Sequence, residues 1–196
     1  MVEHQNKVVK IKFTKKRVLI IFLLVLVVFS FYVAYRYFQP ITEVTFGNII
    51  MAFRVDLRET KKVPITPDEV AFNREFISNM VENVTIVYKP TNDDTDSFYS
   101  VEAFEIVNKF YYGYKRINYT PTFQTKNVTT YEGVFGTIKN PVIVLIHPKY
   151  GNETSVKLDF HTAIISAKND TNPKIALKNF DLATEKFIIA TLGIKV

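Results

Sequence analysis

The 196-residue chain contains no cysteine. Thiol catalysis, thioredoxin-type exchange, disulfide staples and Cys-based zinc sites are therefore excluded. Glycine is scarce, with six residues in all. Neither G-x-x-x-x-G-K-[ST] nor G-x-G-x-x-G occurs, so no phosphate-cradling loop is expected. No H-E-x-x-H pair and no G-x-S-x-G nucleophile elbow is present. Ser78, Ser97, Ser100, Ser155 and Ser166 carry no local signature of an activated hydroxyl. Internal repeats, low-complexity tracts and flexible linkers are lacking as well.

Charge is missing from one stretch, VLIIFLLVLVVFSFYVAY, at positions 18–35. A helix rises about 1.5 Å per residue, so a bilayer core of about 30 Å needs about 20 apolar residues. Tyr32, Tyr35, Tyr37 and Phe38 extend the span at the interface, and Arg36 can snorkel to the same level. Ser30 can return its hydroxyl to a backbone carbonyl, and Pro40 ends the helix. A buried core helix would show a polar face over five turns. A cleaved signal peptide would have a shorter apolar region and small residues before the cut, where Tyr32 stands. A pilin-type leader would need a Gly or Ala between the basic and apolar runs. The expectation is an uncleaved transmembrane signal anchor over residues 18–38.

Residues 1–17 hold six basic side chains against Glu3, a net charge of +5. Such a flank stays cytoplasmic, which places residues 41–196 outside. The chain's formal +6 invites a nucleic-acid reading. Residues 41–196, however, hold 18 basic and 18 acidic residues and are neutral. The basicity marks topology and an attraction to the lipid bilayer; no nucleic acid is expected as a partner.

Five N-x-[ST] sequons, at Asn83, Asn118, Asn127, Asn152 and Asn169, all lie beyond the anchor. They are the glycosylation candidates. With no cysteine and abundant Lys, Ile, Asn and Tyr, they suit an archaeal-like surface glycoprotein.

Periodicity organises the outer segment. Residues 49–57 read as a first strand. ITPDEVAFNREFISNM reads as a helix with Thr66 as cap, Pro67 at the first position and Glu69 completing a capping box; Phe72, Phe76, Ile77 and Met80 share its inner face. NVTIVYKP is a strand and TNDDTD a loop. SFYSVEAFEIVNKFYYGYK is a long helix whose core stripe is expected at Ala103, Phe104, Val107, Phe110, Tyr111 and Tyr114. Tyr112 and Tyr99 point elsewhere, where exposed tyrosines suit a protein interface. NYTPTFQT is an edge strand because of Pro121, and PVIVLIHP a central one. Residues 154–168 form two strands turning near Asp159 to Thr162. A last helix starts at Asn179 or Asp181 and stops at Gly193. The expected fold class is α/β (or α+β): one N-terminal transmembrane helix, then a single mixed β-sheet domain with about three packed helices.

Parallel strands would gather their C-terminal loops on one edge, where ligands tend to bind. That edge is expected to collect Asp56, Arg58, Lys89, Asn92, Asp93, Asp94, His147 and Lys149. Asp93, Asp94, Asp96 and His147 are the candidate ligand- or metal-binding residues. Asn92, Asp94 and Asp96 alternate as in a calcium loop, but Ser97 replaces the turn glycine and Ala103 stands where the bidentate Glu belongs, with Glu102 one place early. Acidic residues at a helix start also complement its dipole. No catalytic residue and no cofactor is predicted. The expected role is a non-catalytic binding or assembly component with a membrane or cell-envelope protein partner. The alternative is a membrane-tethered hydrolase or metal-dependent enzyme using the strand-end loops, with His147 and Asp94 as its base.

Overall fold

The computed structural model describes residues 22–30 and 42–196. The described residues fall in two units, divided after Gln39. Of the expected 18–38 anchor, residues 22–30 form a helix, α1, with every side chain exposed. Ser30 Oγ donates to Leu26 O at 2.8 Å, as expected for a hydroxyl in an apolar helix. The rest of that anchor and the basic tail at 1–17 lie outside the described residues, among which no helix is long and apolar enough to cross a membrane.

In the second unit, β1 (Thr42–Phe46) and β2 (Ile49–Phe53) form an antiparallel hairpin. The expected first strand ran on to residue 57 and had no partner hairpin. Gly47 and Asn48 make the two-residue turn, with Gly47 at φ 62°, a conformation costly for any side chain bearing a Cβ. A Gly-Asn pair between two apolar runs is itself a hairpin signal.

A six-stranded mixed sheet follows, in the order β3-β7-β8-β6-β4-β5. Its strands are β3 (Ile65–Thr66), β4 (Asn83–Tyr88), β5 (Thr122–Asn127), β6 (Val142–Ile146), β7 (Ser155–Asp159) and β8 (Thr162–Ser166). The β4, β5, β6 and β8 strands are mutually parallel, and β7 runs antiparallel to β8. As expected, β6 is interior to the sheet and β5 is an edge. Alternation sorts the side chains onto two faces. Val84, Ile86, Ile143, Leu145, Ala163 and Ile165 enter the main core beneath the helices. Val87, Val142 and Val144 face the other way and form a smaller core with Val128, Tyr131 and Val134. Successive parallel strands need crossovers. The one from β4 to β5 is a helix on the inner face; the one from β5 to β6 is the irregular segment 128–141, which crosses the outer face.

Three helices cover the inner face: α2 (Glu69–Phe76), α3 (Ser97–Arg116) and α4 (Pro173–Leu192). The start of α2 differs from expectation. Asp68, not Thr66, is the N-cap, its carboxylate accepting from Val70 N at 3.0 Å and Ala71 N at 3.1 Å. Thr66 is held in β3 beside Lys157. The helix stops at Phe76, so Met80 is exposed while Phe72 and Phe76 are fully buried. The start of α4 lies earlier than expected. Asn172 caps it by accepting from Lys174 N at 3.0 Å, and Pro173 takes the first position. Gly193 stops it in the left-handed region, as expected.

The stripe buried by α3 is the informative difference. Tyr99, Glu102, Ala103, Ile106, Lys109, Phe110, Gly113 and Tyr114 face inward, whereas Phe104 and Tyr111 are exposed. The helix is rotated so that two charged residues enter the core. Gly113 permits this closeness: a Cβ there would stand 2.5 Å from Leu192 Cδ2 of α4. Tyr99, expected outside, is buried, and Tyr112 is half-buried against the core.

Candidate functional site

Polar groups collect in three places. The first is the C-terminal edge of β4 and β6, where the sequence placed its candidates. Tyr88 and Leu145 are register partners at the ends of these strands, so the loops that follow lie side by side. Those loops are stitched together. Lys149 Nζ donates to Thr91 O at 3.0 Å and to Asp93 Oδ2 at 2.9 Å. Tyr150 OH donates to Pro90 O at 2.9 Å, while the Lys89 ammonium stands 4.7 Å from the Tyr150 ring centre. From the inner face Tyr99 OH donates to Lys89 O at 2.6 Å, and from the outer face Tyr131 OH donates to Leu145 O at 2.8 Å.

The carboxylates here serve the loop itself. Asp93 accepts from both the amide and the hydroxyl of Thr95, and shares the one Thr91 hydroxyl proton, 2.8 Å away, with Asp96. Hydrogen bonds from Thr95, then Lys149, hold its pKa well below the usual carboxylate range. Asp96 accepts from Thr91 N at 2.6 Å and Thr91 Oγ1 at 2.7 Å, and the Thr91 hydroxyl lowers its pKa. Asp94 is exposed and does not join this network. His147 is buried, stacked on Phe98 at 5.5 Å and packed against Tyr99 and Phe180. Its Nδ1 accepts from Lys149 N at 3.1 Å, which puts the proton on Nε2, a buried atom with no partner. Burial lowers the pKa of this imidazole.

Four of the expected residues thus meet: Lys89, Asp93, Lys149 and His147. Asp56 and Arg58 do not, because β2 belongs to the hairpin and not to the large sheet. Arg58 N donates to Asp56 Oδ1 within their own turn. His161 sits in the β7–β8 turn and pairs with Glu75. Among the described residues, no group of three or more His, Asp or Glu side chains is arranged to hold a metal ion.

The second place was missed in the sequence. Arg54, just after β2, meets Glu102 of α3 and Asp181 and Glu185 of α4, and Lys109 of α3 joins Glu185 to Glu105. Arg54 Nη2 lies 2.5 Å from Asp181 Oδ1, and Lys109 Nζ lies 3.0 Å from Glu185 Oε1 and pairs also with Glu105. Lys109 also stands 4.6 Å from the Phe53 ring centre. Glu102 has 1 % exposure. Burial raises the pKa of Glu102 and Asp181, and Asp181 beside Glu102 raises that of Glu102 further. Burial pushes Glu185 up to about 7 against the pull of Lys109. The sequence signal was spacing: Glu102, Glu105 and Lys109 recur at three and four residues, as do Asp181 and Glu185 at four. Asp181 was expected as a helix cap and Glu102 beside the calcium-like loop, so neither was read as part of a cluster.

The third place is the outer face of the sheet at β4 and β5. A groove of about 360 Å³ opens there, lined among others by Val87, Gln124, Lys126, Val134, Phe135 and Val142. Phe135 is 68 % exposed. Strand β5 forms the rim. At its two ends Thr122 N donates to Glu82 O at 3.0 Å and Val128 N to Tyr88 O at 2.9 Å, both toward β4. Strand alternation then directs the amides and carbonyls of Phe123, Thr125 and Asn127 away from β4, toward the open edge.

Four sequon asparagines, Asn118, Asn127, Asn152 and Asn169, are exposed. Asn83 opens β4 half-buried, its amide donating to Asn140 Oδ1 at 2.8 Å and its oxygen accepting from Thr122. Comparison with family models, with curated proteins and with solved structures finds no match for this chain.

Proposed function

We propose that the chain is a single-pass membrane protein, N-terminus cytoplasmic, whose extracytoplasmic α/β domain binds a protein partner in a membrane or cell-envelope assembly and performs no catalysis. The observation that carries this reading is the groove and strand edge on the outer face. A strip of unpaired main-chain donors and acceptors beside an apolar slot suits an extended segment that adds a strand and seats side chains in the groove. The strand-end loops support the same reading from the other direction. Lys149 and Asp93 are engaged with one another in a latch between the β4 and β6 loops, with His147 buried under aromatic rings. Anchoring and orientation rest on the uncharged run at 18–35, the +5 flank before it and the exposure of four of the five sequons.

The test uses the tagged full-length chain, extracted in mild detergent and separated by size-exclusion chromatography with mass spectrometry of the peak. A stoichiometric partner is expected, and Phe135→Asp should release it while leaving the thermal midpoint unchanged. A solitary protein, or a partner indifferent to Phe135→Asp, removes the outer-face role. If His147→Ala with Asp94→Ala abolished function while folding and partner binding persisted, the domain would be an enzyme.

A further inference from the structure

The cluster between β2, α3 and α4 holds four carboxylates, Glu102, Glu105, Asp181 and Glu185, and two cations, Arg54 and Lys109. Fully ionised, it has a net charge of −2 in an interior where unpaired charge is expensive. Among the described residues no further ion pair reaches these six. On α4, Lys186 pairs with Glu69 of α2 at 2.5 Å, and Lys178 with Glu59 of the turn Glu59–Lys62 at 2.6 Å. Strand β2 contributes only the Phe53 ring beside Lys109.

Geometry shows where the surplus falls. Lys109 serves Glu105 and Glu185, and Arg54 serves Asp181. Glu102 is left over: its Oε1 is 3.9 Å from Arg54 Nη1, and neither atom has a hydrogen-bond partner. Glu102 and Asp181 face the two terminal nitrogens of the same Arg54 guanidinium, and Thr184 Oγ1, one turn from Asp181 on α4, is also buried without a partner. We propose that Glu102 and Asp181 are a proton-binding pair that retains one shared proton at neutral pH, and that Glu185 takes up a second in mild acid, tightening the β1–β2 hairpin onto α3 and α4. The stitching of the hairpin runs through this cluster, since Arg54 leaves β2 directly and its backbone N lies 3.5 Å from Glu185 Oε1. The upward displacement of all three carboxyl groups by burial agrees with this arrangement. The inference is independent of the proposed binding role.

The experiment is thermal melting of the full-length chain in detergent from about pH 8 to about pH 5. The native midpoint should rise on acidification. Glu102→Gln, which mimics the protonated acid, should raise the midpoint at pH 8 and flatten the profile; Asp181→Asn should act in the same direction. A native midpoint that falls over this range, or variants with an unchanged slope, overturns the proposal. Should neither variant fold, infrared absorption of the native chain at about pH 7.5 decides: a protonated-carboxyl band is expected, and its absence contradicts the shared proton.

Discussion

The loop after β4 and the interface between α3 and α4 use the same residue types to opposite ends. At the loop, Asp93 and Asp96 are open to water and receive hydrogen bonds from Thr91, Thr95 and Lys149. Donors that favour the anion pull their pKa values down. In the interface, Glu102, Asp181 and Glu185 have lost water and share too few cations, so burial drives them up. Carboxylate identity decides neither outcome. The number of donors and the presence of solvent do.

Lys109→Ala should have the largest effect on this contrast. It leaves Glu105 and Glu185 facing each other in a site where Lys109's side chain has only 3 % exposure. Breaking a buried pair in this way costs about 3–5 kcal/mol, to be read from urea unfolding of the full chain followed by circular dichroism.

Next is the pH dependence of stability. A carboxyl whose folded pKa is raised binds its proton more tightly in the fold than in the unfolded chain. Glu185, moved from an ordinary 4.5 to about 7, therefore stabilises the fold in acid, and that advantage is lost as pH rises from about 4.5 through 7. The loss is of order 3 kcal/mol, from the free energy per pKa unit. Asp93, Asp96 and Glu153 act oppositely, being lowered by hydrogen bonds; their contribution is present above the ordinary carboxylate values and disappears as pH falls below them. Unfolding midpoints plotted against pH should thus peak in mild acid and decline on both sides.

A smaller effect is expected of Glu102→Gln at neutral pH. It removes a buried proton requirement while keeping shape, and should stabilise by about 1 kcal/mol in the same urea assay. Smallest of all is Asp93→Asn in the exposed latch. Its loss should lower the thermal midpoint by no more than about 2 °C, as for other solvated ion pairs. A chelator should leave melting unchanged, since Asp93 and Asp96 are occupied by Thr91, Thr95 and Lys149; a chelator-sensitive midpoint would show that this loop holds a cation after all.

Local chemistry made much of the fold legible. Pro121 beside a weak strand, the run PVIVLIHP and Gly193 after an apolar helix each act within a few residues, and each indicated its element. The hairpin at Gly47 was equally local and was overlooked because a strand was read only over residues 49–57, leaving the segment before Gly47 without an element. The stripe on α3 could not be read this way. Phe104 and Tyr111 fit an apolar periodicity as well as Glu102 and Lys109 violate it, and only α4 and Arg54, 48 residues before Glu102 in the chain, make the charged stripe the buried one. Of the candidate site, the strand-end gathering of Asp93, Lys149 and His147 followed from parallel β4 and β6. Asp56 and Arg58 were assigned to it only because β2 was taken as a strand of the large sheet. Lys149 was legible as a member of the edge but not as its latch, since its two acceptors lie 56 and 58 residues away.

The most direct measurement of the contrast is a carbon-13 NMR titration of side-chain carboxyls in the full-length chain, labelled at Asp and Glu and held in detergent micelles. Asp93 should remain ionised below the ordinary carboxylate range, while the Glu102–Asp181 pair keeps a proton at neutral pH and Glu185 titrates near 7. If Glu102, Asp181 and Asp93 all titrated together near 4, solvent and donor number would not be what separates these two regions, and the account would be wrong.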